Sequence, residues 1–223
     1  MEKPMQHSVY AFDAYGTLFD VHAAVRRYSD VLGPEAQQFS QIWRNKQLEY
    51  SWVHSLMGSY QNFWDLTELA LDAAFHHCPS IDKSHRNALL EAYWHLDCYP
   101  EVPMVLKALK ESGCRLVILS NGSPEMLSAA CKAAEIEDLF DEVFSVDLIG
   151  RYKPDPQVYD MVTTHFRVYP NAVSFQSSNR WDIAGASNFG FRTVWLNRFQ
   201  YPEEYHDYPA SAVLADLTGL TSL

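Results

Sequence analysis

A short apolar run near the start of the chain, Val9–Phe12, ends at the carboxylate of Asp13, and the turn residue Gly16 follows. An apolar run that ends in a turn predicts a buried strand. Open α/β sheets bind their ligands at the carboxyl ends of their strands, where Asp13 would stand. A carboxylate in that place can act as a nucleophile and become an ester. Residues 9–16 therefore predict an α/β fold with Asp13 in its active site.

Strand patterns that alternate with helical patterns continue along the chain. They lie at residues 115–119, 142–145, 172–175 and 192–196, with a weaker one at residues 212–215. Strands that alternate with helices in this way form a mostly parallel sheet that has helices on both faces. The predicted fold class is therefore α/β, with a Rossmann-like, mostly parallel sheet.

The first two strands are separated by residues 21–96, which have helical patterns throughout. A single crossover between parallel strands needs far fewer residues. We therefore expect a helical cap domain at residues 21–96, inserted into an α/β core domain formed by residues 1–20 and 97–223. The core should resume with a helix over residues 99–113, with Pro103 near its start.

One helix of the predicted cap, at residues 40–57, has two apolar stripes. The first stripe consists of Phe39, Ile42, Trp43, Tyr50, Val53 and Met57. The second contains Leu48 and Trp52, and Arg44 shares it by its i, i+4 spacing. A helix that is apolar on two sides is buried on two sides, so we expect Arg44 to face the core domain. The alternative is an ordinary solvated arginine.

Charge and composition restrict the partners of the chain. Its net charge of −11 argues against nucleic acid or an anionic membrane surface. No apolar segment is long enough to span a bilayer, and residues 1–6 lack the apolar region of a signal peptide. The four cysteines form no CxxC pair, and a chain of 223 residues needs no disulfide. These features predict a cytoplasmic protein.

Polar side chains also follow the later strands of the predicted sheet. They are Ser120 and Asn121 after the second strand, Lys153 in the loop after the third, and Ser177, Asn179 and Asp182 after the fourth. Each one has an ordinary explanation, such as a helix cap or a solvated lysine. Because consecutive strands of a parallel sheet end at one edge, the whole set predicts a single site around Asp13.

Five motifs in this order carry a family resemblance. They are DAYGTLFDV at residues 13–21, WRNKQLEY at 43–50, SNGSPEML at 120–127, KPDPQVY at 153–159 and SSNRWD at 177–182. The chain resembles the haloacid dehalogenase superfamily and, within it, the L-2-haloacid dehalogenases (type II). The resemblance covers nearly the whole chain and implies that Asp13 is the nucleophile.

Two positions distinguish a dehalogenase from the phosphatases of this superfamily. Phosphatases resemble DxDxT at the first motif, but here the second Asp is replaced by Tyr15, whose pKa of about 10 suits it poorly to donate a proton. A departing halide needs no proton. Ser178 stands where phosphatases carry an acidic ligand for Mg²⁺. We therefore predict a dehalogenase without metal or cofactor. The alternatives are a Mg²⁺-dependent phosphate-monoester phosphatase and a non-catalytic binding protein with this fold.

The resemblance implies a reaction in two steps. Asp13 displaces the halide from C2 with inversion, and water then hydrolyses the aspartyl ester, so that an L-2-haloacid yields a D-2-hydroxy acid. Lys153 would keep Asp13 ionised, and Asp182 would activate the water with help from its neighbours. The residues assigned to the reaction itself are Asp13, Lys153, Asp182, Ser177, Asn179 and Thr17.

A second set of residues is expected around the substrate. It consists of Arg44, Asn121, Ser120, Tyr15, Leu48, Phe63, Tyr159 and Trp181. The resemblance implies that Ser120 and the helix N–H groups after it bind the substrate carboxylate. Arg44 and Asn121 would hold the halide. Leu48, Phe63 and Trp181 would line the apolar part of the pocket, and Tyr159 would support the site.

The sequence departs from the usual family pattern at two positions. Asn45 stands where a longer Gln is common, and Arg180 stands where a small residue is common. Both departures are expected to affect the range of acids accepted. The implied partner is a small haloacid, and the resemblance suggests a homodimer.

Overall fold

The structure is a computed structural model that describes residues 9–223; the predictions made for residues 1–8 lie outside the described residues. Its centre is a six-stranded sheet in which all neighbouring strands are parallel. The strands are β1 (Val9–Phe12), β2 (Arg115–Ser120), β3 (Glu142–Ser145), β4 (Val173–Ser177), β5 (Arg192–Leu196) and β6 (Ala212–Leu214). Their order is β3-β2-β1-β4-β5-β6, which confirms the predicted parallel α/β sheet.

The α-helices of the described residues lie between these strands. They are α1 (Ala23–Arg26), α2 (Ser29–Leu32), α3 (Ala36–Met57), α4 (Phe63–His77), α5 (Arg86–Trp94), α6 (Val102–Glu111), α7 (Pro124–Ala133), α8 (Pro156–Phe166) and α9 (Arg180–Phe189). The chain crosses the sheet in one direction from β1 to β3 and in the other from β4 to β6. Right-handed crossovers therefore place helices on both faces. Within residues 9–223, no helix is long and apolar enough to cross a membrane.

Strand β1 lies at the point where the direction of the chain across the sheet reverses. All four of its residues are buried, as its apolar run predicted. Phe12 is level with Ile118 of β2 and Gln176 of β4. The Asp13 N–H donates to the Gln176 carbonyl at 2.9 Å, so that Asp13 lies at the carboxyl edge of the sheet. Such a reversal opens the crevice in which α/β proteins bind their ligands.

The helices α1 to α5 all lie between β1 and β2. The longest, α3, ends at Gly58 with a positive φ of 67°, and α4 begins at the side-chain cap of Asn62. These two helices pack against each other, and Trp43 Nε1 donates to the Thr67 carbonyl across the pair at 2.9 Å. Their packing holds one face of α3 over the carboxyl edge of the sheet.

The buried face of α3 differs from the predicted apolar stripe. Val53 and Met57 were expected to be buried within the cap, but they are 44% and 61% exposed. The buried face instead runs through Phe39, Trp43, Gln47 and Ser51. Gln47 and Ser51 are polar, and each forms hydrogen bonds there, so a count of apolar residues could not have found them.

Several element boundaries also differ from the prediction by a few residues. Helix α6 begins at Val102 rather than at residue 99, with Pro103 in its first turn. Strand β4 begins at Val173 because Ala172 still belongs to a 3-10 turn. Strand β2 continues to Ser120, so the first polar residue after the predicted strand is the last residue of the observed one.

Candidate active site

The carboxylate of Asp13 is 5% exposed and accepts hydrogen bonds unequally on its two oxygens. Its Oδ2 accepts from Asn179 Nδ2 at 2.7 Å, from Thr17 Oγ1 at 2.8 Å and from Ser177 Oγ at 3.3 Å. Its Oδ1 accepts from Lys153 Nζ at 3.1 Å. One oxygen is therefore held by three donors, whereas the other faces a single ammonium group.

Lys153 lies between two buried carboxylates. Its Nζ donates to Asp182 Oδ2 at 2.8 Å as well as to Asp13, and neither Lys153 nor Asp182 is exposed. Burial alone disfavours the Lys153 charge, but the two carboxylates outweigh it and raise the pKa of Lys153. Burial also raises the pKa of Asp182 to about 6, although the nearby ammonium opposes this shift.

Tyr159 lies behind Asp182 rather than in the cavity. Its hydroxyl donates to Asp182 Oδ1 at 2.8 Å, and the residue is fully buried. It was expected in the set around the substrate as a supporting residue, and the group it supports is Asp182. Asp13, Lys153, Asp182, Thr17, Ser177, Asn179 and Tyr159 thus form one hydrogen-bond network, here called the strand-end site.

Local backbone structure explains how Asn179 reaches Asp13. Asn179 is the N-cap residue of α9, a position where Asn normally bonds to the helix itself. Its side chain makes no capping bond and turns instead to Asp13 and to the Tyr15 carbonyl at 3.1 Å. Gly16, with φ at +95°, makes the turn that brings this carbonyl towards α9, and a side chain there would be strained.

A glycine that sequence reasoning missed allows α9 to approach the Lys153 loop. A Cβ on Gly185 would lie 2.5 Å from Pro154 Cβ and 2.5 Å from Tyr159 Oη. Both neighbours hold catalytic candidates, since Pro154 follows Lys153 and Tyr159 bonds to Asp182. A glycine within a helical pattern is the signal that could have found it.

Arg44 reaches the core from helix α3, as its spacing predicted. Its Nη2 donates to the Tyr15 carbonyl at 3.1 Å and lies 3.5 Å from Asn179 Oδ1. Its Nη1 donates to Gln47 Oε1 at 2.7 Å, and the Gln47 amide in turn donates to Thr67 Oγ1 at 2.6 Å. Sequence reasoning missed Gln47, although it lies three residues after Arg44 on the same helix.

The Tyr15 ring is enclosed by aromatic side chains. It stacks on Tyr93 at 5.9 Å between ring centroids and contacts Phe63 at 6.1 Å. Burial raises the pKa of Tyr15 well above its ordinary value, so its phenol stays protonated near neutral pH. Tyr15 therefore adds an apolar surface beside Asp13, with Phe63 behind it.

Ser120 and Asn121 lie at the end of β2 but use part of their hydrogen-bonding capacity within the turn. Ser120 Oγ accepts from the Gly122 N–H at 3.0 Å, and Asn121 Oδ1 accepts from the Lys153 N–H at 3.1 Å. The Ser123 hydroxyl caps α7 by accepting from the Met126 N–H. Two of the N–H groups after Ser120, those of Gly122 and Met126, are thus already bonded. Fewer N–H groups than predicted therefore remain for a substrate carboxylate.

A cavity of about 390 Å³ opens above the strand-end site. Helix α3 contributes Arg44, Leu48 and Trp52 to its lining, and the start of α9 contributes Asn179, Arg180 and Trp181. Trp52 and Trp181 form an edge-to-face pair with ring centroids 5.4 Å apart. Two of the predicted apolar pocket residues, Leu48 and Trp181, therefore face this cavity.

The two departures from the family pattern also line this cavity. Asn45 is exposed and accepts from Gln41 Nε2 at 3.1 Å. Arg180 is 6% exposed and pairs with Glu203, with Nε to Oε1 at 2.6 Å. Arg180 thus points neither to solvent nor to Asp13, but towards the loop that follows β5.

The donor set around Asp13 fits an ammonium better than Mg²⁺. Lys153 Nζ occupies the space between the carboxylates of Asp13 and Asp182. Ser178 supplies a hydroxyl where a third carboxylate would be needed. Over the described range 9–223, no group of three or more His, Cys, Asp or Glu side chains could hold a metal ion.

Comparisons with known proteins place this geometry in a family. Residues 7–190 match the family model of haloacid dehalogenase-like hydrolases. The (S)-2-haloacid dehalogenase 1 of Pseudomonas sp. (strain CBS-3) is 45% identical over 213 residues, which are 95% of this chain and 94% of the relative.

Two crystal structures resemble the whole chain. One is of a dehalogenase, with 41% identity and a TM-score of 0.96, covering 99% of this chain and 98% of its own. The other is of the L-2-haloacid dehalogenase from Xanthobacter autotrophicus with chloropropionic acid covalently bound, at 33% identity and a TM-score of 0.88, covering 98% of each chain. The chain therefore belongs to the haloacid dehalogenase-like hydrolases and, among them, to the L-2-haloacid dehalogenases.

Proposed function

We propose that this protein hydrolyses short L-2-haloacids, haloacetates included, to 2-hydroxy acids through an ester at Asp13. The observation that carries the proposal is the unequal bonding of the Asp13 carboxylate. Three donors hold Oδ2 in place, whereas Oδ1 has one donor, Lys153 Nζ at 3.1 Å. Oδ1 therefore keeps the lone pair that an attack on carbon requires.

In the first step, Oδ1 attacks C2 of the acid from the side opposite the halogen. The Oδ1–C2 bond forms as the carbon–halogen bond breaks, and the halide leaves with the electron pair. This inverts C2. The step requires no proton donor, so the Tyr15 phenol beside the site can keep its proton throughout. Lys153 offsets the repulsion between Asp13 and the incoming carboxylate, which is about 4 kcal/mol at 4 Å and an effective dielectric of 20.

The residues around the departing halide are proposed from their donors. Arg44 brings a guanidinium from α3 to within 3.1 Å of the carbonyl of Tyr15, which is two residues after Asp13 in the chain. Asn121 uses its carbonyl oxygen on the Lys153 N–H, which turns its NH₂ group to the opposite side. We assign the halide to Arg44 and Asn121, and the substrate carboxylate to the turn at Ser120. Residues 21–96 act as the cap that closes this space.

In the second step, water attacks the carbonyl carbon of the Asp13 ester. Negative charge then develops on Oδ2, where Asn179, Thr17 and Ser177 already donate, so the oxyanion needs no reorganisation. Asp182, with a pKa of about 6, accepts the proton of the water. The ester bond to Oδ1 breaks, and Oδ1 leaves with the 2-hydroxy acid.

Lys153 completes the transfer of the proton. Its Nζ lies 3.1 Å from Oδ1, so it can protonate the departing alkoxide. It lies 2.8 Å from Asp182 Oδ2 and can regain a proton there. The product alcohol thus carries an Asp13 oxygen, and the oxygen of the water stays in the Asp13 carboxylate.

The test is halide release from the two enantiomers of 2-chloropropionate by the purified protein, with chiral analysis of the lactate. We expect chloride from the L-enantiomer, D-lactate as the product, and the first ¹⁸O from labelled water in Asp13. The Asp13→Asn variant should lose halide release by at least about 10⁴-fold because an amide is not a nucleophile at neutral pH. The exposed Asp138→Asn variant is its control.

The alternative is a Mg²⁺-dependent phosphatase, which is not favoured. Tyr15 stands where a phosphatase carries its general-acid Asp, and Ser178 stands where it carries an acidic ligand for Mg²⁺. Turnover of a phosphate monoester that depends on Mg²⁺, with no chloride released from 2-chloropropionate, would overturn the dehalogenase proposal. EDTA should leave halide release unchanged.

We also propose that the protein works as a homodimer in the cytoplasm. Val53, Leu56 and Met57 are exposed at the end of α3, which supports a partner surface there. None of the four cysteines is in a disulfide, as suits a reducing compartment. Light scattering should give twice the chain mass of 25.6 kDa, and Leu56→Glu should shift the mass towards the monomer.

A further inference from the structure

The loop between β5 and β6 forms one side of the active-site cavity. Residues 197–211 contain no helix or strand. Phe199, Tyr201, Pro202 and Glu204 line the cavity together with Arg44 and Leu48 of α3. We call residues 199–204 the outer wall. An irregular segment defines a cavity only if something fixes it in place.

Arg180 fixes the far end of the outer wall. Its Nε donates to Glu203 Oε1 at 2.6 Å, and its Nη2 donates to the carbonyls of Tyr205 at 2.9 Å and Tyr208 at 2.7 Å. Its guanidinium lies 5.6 Å from the centre of the Trp195 ring. Because Arg180 begins helix α9, a rigid element holds the loop at three points.

Arg198 fixes the near end of the outer wall. Its Nη2 donates to the Thr17 carbonyl at 3.0 Å and pairs with Glu101 at 2.6 Å. Its guanidinium stacks on the Tyr99 ring at 3.8 Å. Since Thr17 also bonds to Asp13, this end of the wall is tied to the turn that carries the nucleophile.

A second cavity, of about 460 Å³, lies on the other side of the outer wall. It is lined by residues of α1, α2 and α3, among them Arg26, Ser29 and Gln37. Phe199 and Tyr201 line both cavities and are the members of the outer wall at their junction, where His22, Gln41 and Tyr99 also line both. A wall that moves at the Phe199 and Tyr201 rings would join the two spaces.

We propose that Arg180 is a positioning residue that restricts the enzyme to short acids by holding Phe199 and Tyr201 at this junction. The inference rests on the proposed dehalogenase function. Each methylene added to the acid needs room beside C2. If a fixed wall leaves no such room, kcat/KM should fall about tenfold or more for each added methylene. Without Arg180 the wall yields, and the alkyl chain of a longer 2-haloacid extends into the second cavity.

The test compares Arg180→Gly with Arg167→Gly, a change at an exposed arginine outside both cavities. We expect Arg180→Gly to raise the kcat/KM ratio of L-2-chlorohexanoate over chloroacetate by at least about tenfold, mainly through a lower KM for the longer acid. Arg167→Gly should leave the ratio unchanged. An unaltered ratio in Arg180→Gly overturns the inference.

A second measurement needs no catalysis. Chymotrypsin should cleave the loop after Phe199 or Tyr205 at least about tenfold faster in Arg180→Gly than in the wild type. Equal rates overturn the fixing role of Arg180, even if the proposed function holds. If the wild type released halide from neither acid, the proposed function would fail, and the specificity role with it.

A third variant tests the wall itself. Tyr201→Ala removes one ring from the junction and leaves Arg180 in place, so it covers the case in which Arg180→Gly does not fold. It should favour the longer acid in the same direction without faster cleavage at Phe199. No gain for the longer acid would show that the junction does not limit chain length.

Discussion

The strand-end site reaches the cavity through Asn179, and the outer wall lines the same cavity, but the two are held in different ways. The strand-end site is carried by the ends of β1 and β4, the loop that leads into α8, α8 itself and the first turn of α9, and its charged groups are buried and bond to one another. The outer wall is irregular backbone held by Arg180 and Arg198. The first arrangement fixes individual side-chain atoms, whereas the second sets only a boundary. We therefore expect chemistry and substrate range to depend on separate parts of the molecule.

After the loss of the proposed nucleophile in Asp13→Asn, the largest expected effect is the removal of the cation from the strand-end site. Lys153→Met leaves Asp13 and Asp182 buried without their shared ammonium, so it should lower kcat by at least about 10³-fold. The same change should lower the free energy of unfolding by about 3–5 kcal/mol, because two buried charges lose their partner. Chloride assays and urea unfolding measure the two effects.

The control for that variant is Lys107→Met, at an exposed position on α6. It should change neither quantity. Near-normal turnover in Lys153→Met would show that the strand-end site does not depend on its cation. The proposed difference between a charged strand-end site that carries the chemistry and an outer wall that sets only a boundary would then be lost.

The next effect separates the two chemical steps. Asp182→Asn removes the proposed base, so the first step should still occur while the ester persists, with turnover lowered about 10²–10⁴-fold. Rapid quenching should show up to one halide for each active site, and mass spectrometry should find the acid attached to Asp13. Loss of the first halide as well would place Asp182 in both steps.

A pH profile sharpens this assignment. Because burial raises the pKa of Asp182 to about 6, the carboxylate is protonated below that pH and cannot accept a proton from water. The rate of ester decay in a single turnover should rise with pH through about 6 and then level off. A flat profile between pH 5 and 8 would exclude Asp182 as the base.

The same shift links Asp182 to stability. Its ordinary pKa of 3.8 is lower than its value in the folded protein, so the folded state binds this proton more tightly than the unfolded chain does. The resulting stabilisation is complete below pH 3.8 and is lost as the pH rises through about 6. The unfolding free energy of Asp182→Asn should lack this contribution to the pH dependence.

The smallest effect is expected on the cap side. Gln47→Leu removes the acceptor that orients Arg44, so kcat/KM should fall about tenfold, and the lost buried hydrogen bonds should cost about 1–3 kcal/mol of stability. The exposed Gln38→Leu on the same helix is the control. If Gln47→Leu and Gln38→Leu had the same kcat/KM, the hydrogen bond from Arg44 to Gln47 would not be needed for activity.

The sequence predicted the sheet better than the cavity, for physical reasons. Each strand leaves a local apolar pattern, and the carboxylate after β1 could be located from it. Gln47 is buried because its amide donates to Thr67 of α4, and Ser51 because its hydroxyl donates to the Leu48 carbonyl of its own helix; an apolar periodicity records neither bond. The outer wall has no periodic pattern, and its anchor Arg180 lies far from it in sequence, so only tertiary structure connects them.

The turn that begins α9 has a consequence for how such an enzyme can change. Within four residues it sends Asn179 to the nucleophile, Arg180 to the loop and Asp182 to the ammonium. A substitution at position 180 alone should broaden the range of acids that an evolved variant accepts, while Asn179 and Asp182 keep their contacts. Inserting or deleting a residue in this turn rotates all three side chains by about 100° and ends the chemistry. Laboratory lineages selected for bulkier acids should therefore accumulate substitutions here and never length changes.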